Sequence, residues 1–103
     1  MQIHTDFKEK TLYIQLAGEV DEHNASIARR NADKMVDGYA MRCEKAVFDL
    51  RQISFMDSTG IGFLIGRYKK FHRYGMPMYI ANPSQATDKI LTVSGVYTLI
   101  PKI

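Results

Sequence analysis

Asp57, Ser58, Thr59 and Gly60 place one carboxylate and two hydroxyls in consecutive positions. A serine nucleophile is the first chemistry such a run could serve. The strained elbow that activates a hydrolase serine needs glycine two positions before and two after it, and Met56 occupies the first place. An aspartic-protease motif needs Asp, then Thr or Ser, then Gly, and here Thr59 intervenes. Metal chemistry fails as well, because His4, His23 and His72 have no ligand spacing with one another or with Cys43. No Gly-x-x-x-x-Gly-Lys run exists to cradle a nucleotide phosphate. No catalytic residue, metal or cofactor is therefore expected, and the chain does not read as an enzyme. The remaining role is local: Asp57 and Ser58 can both accept from the free N–H groups that open a helix.

The residues after this run have a second use. Gly62 and Gly66 lie inside a helical pattern, where each costs about 1 kcal/mol against Ala. They fall away from the Ile61, Leu64 and Tyr68 stripe, and a bare backbone strip admits close approach. Phe63 also falls off that stripe, near Arg67 and Lys70. Hydroxyls at a helix start, a glycine strip and an off-stripe Phe together predict a docking surface. The same residues would serve equally as a plain cap, with Phe63 touching a neighbouring element.

The elements that hold this segment follow from periodicity. Ile3, Thr5 and Phe7 alternate, as do Leu12, Ile14 and Leu16, with a turn at Glu9-Lys10 between them, which predicts a hairpin. Asp21 or Asn24 is a candidate cap for a helix through about Val36, with Ala25, Ala28, Ala32, Met35 and Val36 on one stripe and Gly38 as its stop. The run Ala46 to Leu50 has the composition of a strand buried on both faces. Gly60 to Arg73 reads as an amphipathic helix with His72 turned toward its core stripe. Met78 to Ala81 is a short strand, Gln85 to Val93 a helix ended by Gly95, and Tyr97 to Ile100 a last strand. The predicted order is β-β-α-β-α-β-α-β. This is an α/β fold in which helices pack on a mixed sheet of four to five strands.

A chain of 103 residues, 46% of them hydrophobic, is the length and composition of one domain, taken as 1–103. No apolar run approaches the roughly 18 residues that cross a bilayer. A lone Cys43 and the lack of a secretory signal point to the reducing cytoplasm. The net charge of +3 is spread along the chain, and its densest cluster, Arg67 to Arg73, has the spacing of a helix face. Direct nucleic-acid binding is therefore not expected.

Asp57-Ser58-Thr59-Gly60-Ile61-Gly62 carries a resemblance, preceded by Val47-Phe48-Asp49-Leu50 and followed by Gly66-Arg67-Tyr68-Lys69. Together with Gly18-Glu19-Val20-Asp21 and Val93-Ser94-Gly95-Val96, it resembles the STAS family of anti-sigma factor antagonists along essentially the whole chain. The sporulation branch acting in the sigma F circuit looks closest. The resemblance implies a binding switch. The unphosphorylated form would bind an anti-sigma factor that is also a serine kinase and so release a sigma factor. Phosphorylation at Ser58 would end binding, and a serine phosphatase would reverse it. The resemblance implies that Asp21 lies close to the phosphoserine loop. With the docking surface read from the residues, the expected partner-binding residues are Asp21, Asp57, Ser58, Thr59, Gly60, Gly62, Phe63, Gly66 and Arg67, on a protein that is a monomer when free. Thr59 stands where many relatives carry a second serine, and Arg51-Gln52 is more polar than is usual there. A module of a stress-signalling or transport-associated assembly is the alternative that the same resemblance allows.

Overall fold

A computed structural model describes residues 2–39 and 42–103. Strand β1 (Gln2–Lys8) and strand β2 (Thr11–Val20) form the predicted antiparallel hairpin. Its turn places both Glu9 and Lys10 at positive φ, 52° and 64°. Helix α1 (Ala25–Tyr39) then leads to strand β3 (Lys45–Met56), which pairs in parallel with β2. Helix α2 (Ser58–Arg73) crosses to strand β4 (Met78–Ala81), parallel to β3, and helix α3 (Gln85–Ser94) follows. The sheet order is β1-β2-β3-β4, so the four-stranded mixed sheet with three helices agrees with the expected fold class.

Three boundaries differ from the sequence reading, each for a physical reason. The second half of β3 was expected to be a loop after Leu50. Instead β3 carries two extra residues against β2, where Gln15 and Ala17 pair with Asp49 and Gln52, and Gly18 and Glu19 with Ile53 and Phe55. These bulges put the buried side chains Leu50, Ile53 and Met56 three apart, which hides the period of two. Gly38 does not stop α1, which runs on to Tyr39. The predicted last strand at Tyr97 to Ile100 is a single 3-10 turn, Val96–Thr98, entered through Gly95 at φ +81°. Val96 and Ile100 are both buried four residues apart, a helical rather than a strand spacing. Among the described residues the C-terminal segment meets β4 at one parallel bridge, Ile80 to Lys102, and Pro101 contributes a carbonyl there but has no N–H to extend a ladder.

The core lies between the sheet and its helices. Leu12, Ile14 and Leu16 of β2, with Ala46, Phe48 and Leu50 of β3, meet Leu64 and Phe71 of α2 and Leu91 of α3. Phe48 and Phe71 pack edge to face with ring centres 6.0 Å apart. Ala28 and Ala32 are the buried positions of the α1 stripe, while the side chain of Val36 lies outside the described residues. His72 is exposed and stacked on Tyr68 rather than turned inward. No helix among the described residues is long and apolar enough to cross a membrane.

Candidate functional site

Parallel pairing of β2 with β3 ends at Val20 against Met56. The next residue on each strand, Asp21 and Asp57, therefore leaves the sheet beside the other, at the carboxyl ends where α/β sheets place their working groups. Each carboxylate is committed to its own backbone. Asp21 Oδ1 accepts from the N–H of His23 (3.0 Å) and of Asn24 (3.2 Å), and the Asn24 side chain returns a bond by accepting from Asp21 N–H. Asn24 Nδ2 also donates to the Glu19 carbonyl at 2.9 Å, which ties the turn to the end of β2.

Asp57 is the only residue between β3 and α2. Its extended backbone makes it the N-cap, and its Oδ1 accepts from Thr59 N–H at 2.9 Å and Gly60 N–H at 3.4 Å. Capping by Asp57 leaves Ser58 at the first helical position. The Ser58 side chain is exposed, and among the described residues its hydroxyl makes no hydrogen bond. Ser58 is thus not the cap that its sequence position allowed. Asp57→Ala should lower stability by about 1 kcal/mol and fray the first turn of α2. Thermal melting, with amide exchange at Thr59 and Gly60, would measure this; unchanged exchange there would count against the cap.

The predicted docking residues separate in space. Ser58 and Gly62 are exposed, while Thr59 and Gly66 are half-buried. Gly60 is buried; a Cβ there would collide with the Met56 side chain, so Gly60 serves packing of α2 onto the sheet rather than offering exposed surface. Phe63 and Arg67, expected off the core, are buried at 5% and 4% exposure. The reason is α1: it covers this side of α2, so the helix buries two faces rather than one. Arg67 Nε lies 2.8 Å from Asp33 Oδ1, and Lys70 Nζ lies 3.1 Å from Asp37 Oδ1. Tyr74 also donates to Asp37 at 3.1 Å, and the Lys70 and Tyr74 bonds hold the Asp37 carboxyl below its ordinary range. Acidic residues four apart on α1 thus meet partners three apart on α2, Arg67 and Lys70, and Tyr74 at the end of α2.

Two grooves flank the first turns of α2. One, between α1 and α2, has Gly62 and Gly66 along its wall and Phe63 and Arg67 at its floor. The other, between α2 and α3, is an open apolar groove of about 550 Å³ lined by Phe55, Ile61, Ile90 and Val93, with Ser58 and Lys89 on its rim. Phe55 is 49% and Val93 80% exposed, a concentration of apolar surface that a solvated face does not need. The sequence reading missed this groove. Its signal was present in α3, where Ile90 and Val93 are three apart and flank Leu91, the buried one. Cys43 is half-buried ahead of β3, and burial pushes its thiol above the ordinary value, which makes it a poor nucleophile. No metal-binding group of side chains occurs among the described residues.

With this geometry in view, the comparisons with known proteins agree with one another. The STAS domain model matches residues 2–103, and the chain belongs to that family. The anti-sigma F factor antagonist of Paenibacillus polymyxa is 30% identical over 98% of this chain and 85% of its own length. The anti-sigma-B factor antagonist of Bacillus subtilis (strain 168) is 28% identical over 97% of this chain and 90% of its own. Among solved structures, the anti-sigma factor antagonist SpoIIAA in its unphosphorylated form superposes with a TM-score of 0.79 at 22% identity, over 99% of this chain and 88% of its own. The Bacillus cell fate determinant SpoIIAA in its phosphorylated form gives 0.71, also at 22% identity, over 99% and 91% of the two chains. Both share the fold described above.

Proposed function

We propose that this protein is an anti-sigma factor antagonist whose unphosphorylated form binds an anti-sigma factor with serine kinase activity in the cytoplasm. Binding releases a sporulation sigma factor, and phosphorylation at Ser58 ends it. The reading rests on one observation above all. Ser58 is an exposed, unbonded hydroxyl at the first position of a helix that Asp57 already caps. Such a hydroxyl can be modified without removing any interaction that holds the fold. Its oxygen would attack the γ-phosphorus of ATP, the Oγ–P bond forming as the bond to the β-phosphate oxygen breaks. The serine proton passes to a base of the kinase, and ADP leaves. The product carries about −1.5 to −2 charges at neutral pH, next to a helix N-terminus that favours an anion.

The apolar groove beside Ser58 supplies the rest of the docking surface. A partner that covers Phe55, Ile61, Ile90 and Val93 necessarily sits over the Ser58 hydroxyl. A phosphate there meets a surface built to exclude water, and the complex dissociates without any change of fold. A serine phosphatase restores the binding form.

The test is to mix the protein with the anti-sigma factor kinase of its own organism, with and without ATP. Without ATP a stable complex is expected on size exclusion. With ATP, phosphate should accumulate at Ser58, located by peptide mass spectrometry, and the complex should fall apart. Label on Thr59 instead would move the switch by one residue and overturn the assignment. Val93→Glu puts a charge in the groove at a highly exposed position, so it should melt as the natural chain does and lose at least about tenfold in affinity.

A further inference from the structure

The cleft between α1 and α2 has features that packing alone does not need. Arg67 is buried at its floor, with its guanidinium 5.1 Å over the Phe63 ring. Guanidinium is a fork of five donors, and a single carboxylate, Asp33, meets its Nε edge. Nε and Nη1 are both sealed from solvent without a geometrically good hydrogen bond, Nε meeting Asp33 through charge, and Arg67 lines the cleft. Arg29, an exposed residue of α1, lines the same end.

We propose that this cleft binds the carboxylate or phosphate group of a small ligand, held between Arg67 from below and Arg29 from the rim. The balance of charge favours it. At this end two guanidiniums face one carboxylate, Asp33, while Lys70 further along is already paired with Asp37. Burial weakens the hold of Arg67 on its proton, Asp33 opposes this, and the charge of Arg29 adds a smaller push in the same direction as burial. An oxyanion would relieve both. The space is real: a Cβ added at Gly62 or Gly66 would meet nothing within 4 Å, and the cleft holds about 400 Å³. Ser26 and Thr59 add hydroxyls along its length. Glu22 lines the opposite end, before α1 begins, and would repel a second negative group. The ligand is therefore small, with one anionic end. This inference stands whether or not Ser58 accepts a phosphate.

An NMR titration of the whole protein decides it, observing backbone amides and arginine Nε–H groups. The probes are inorganic phosphate and, separately, acetate, at ionic strength held constant with chloride. Saturable shifts are expected at Arg29, Gly62, Gly66 and Arg67. Arg29→Gln should weaken binding at least about fivefold, the loss of one charge-assisted contact. Gly66→Leu, which fills the cleft where nothing opposes a side chain, should abolish the shifts while the melting temperature holds. A response to phosphate alone assigns a phosphoryl end, and a response to acetate alone a carboxylate; either supports the site. Shifts that fail to saturate with both anions, or that persist in Gly66→Leu, overturn it.

Discussion

Ser58→Asp is expected to fold as the natural chain does and to lose at least about tenfold in affinity for the anti-sigma factor, because a desolvated, unpaired charge in an interface costs a few kcal/mol. Folding is spared for a local reason. A carboxylate in the first turn of a helix is favourable by about 0.3–1 kcal/mol, and the N–H groups of Thr59 and Gly60 are already taken up by Asp57. Ser58→Ala should stay within about 0.5 kcal/mol of the natural stability, since the hydroxyl it removes makes no bond. It should bind the partner and accept no phosphate, so it is permanently active. Melting curves and calorimetric titrations on the two variants separate stability from affinity. A Ser58→Asp protein that binds at full strength would remove Ser58 from the interface.

Arg67→Ala should have the largest effect on stability, about 3 kcal/mol, or a fall of roughly 12–20 °C in melting temperature for a chain this size. Three losses combine: the Nε contact with Asp33, the cation over the Phe63 ring, and the buried aliphatic stem. Asp33 is then left partly buried without its partner, although its 27% side-chain exposure lets water recover part of the cost. Asp33→Ala alone should cost less than Arg67→Ala, and the double variant less than the sum of the two. Thermal melts of the four proteins give the coupling, and strict additivity would show that the pair does not act as a unit.

The same two residues mark the limit of what the sequence discloses. Regular strands and stops were legible: the hairpin, the β4 strand at Met78 to Ala81 and the Gly95 stop of α3 are all local in origin. So was the position of Ser58 at the head of a helix, with the choice between two caps left open until the geometry assigned it to Asp57. Phe63 and Arg67 were misread because one stripe was drawn on α2, whereas the helix is covered from two directions. Nothing within residues 58–73 announces that α1 will lie over them; the matching carboxylates, Asp33 and Asp37, stand some thirty positions earlier. The apolar groove escaped for the complementary reason. Phe55 lies past the bulges of β3, where alternation no longer reports which way a side chain points.

The single-residue connection at Asp57 has a consequence for timing. A lid or a long loop must search among conformations before a partner can use it, and such motions take microseconds to milliseconds. Here no loop intervenes between strand and helix, and the cap bonds hold the first turn in place. The backbone that carries Ser58 is thus held by the cap rather than by a loop. For the switch proposed at Ser58, the response would be governed by how often partners collide and how fast phosphate is added or removed, so enzyme and partner concentrations would set its tempo.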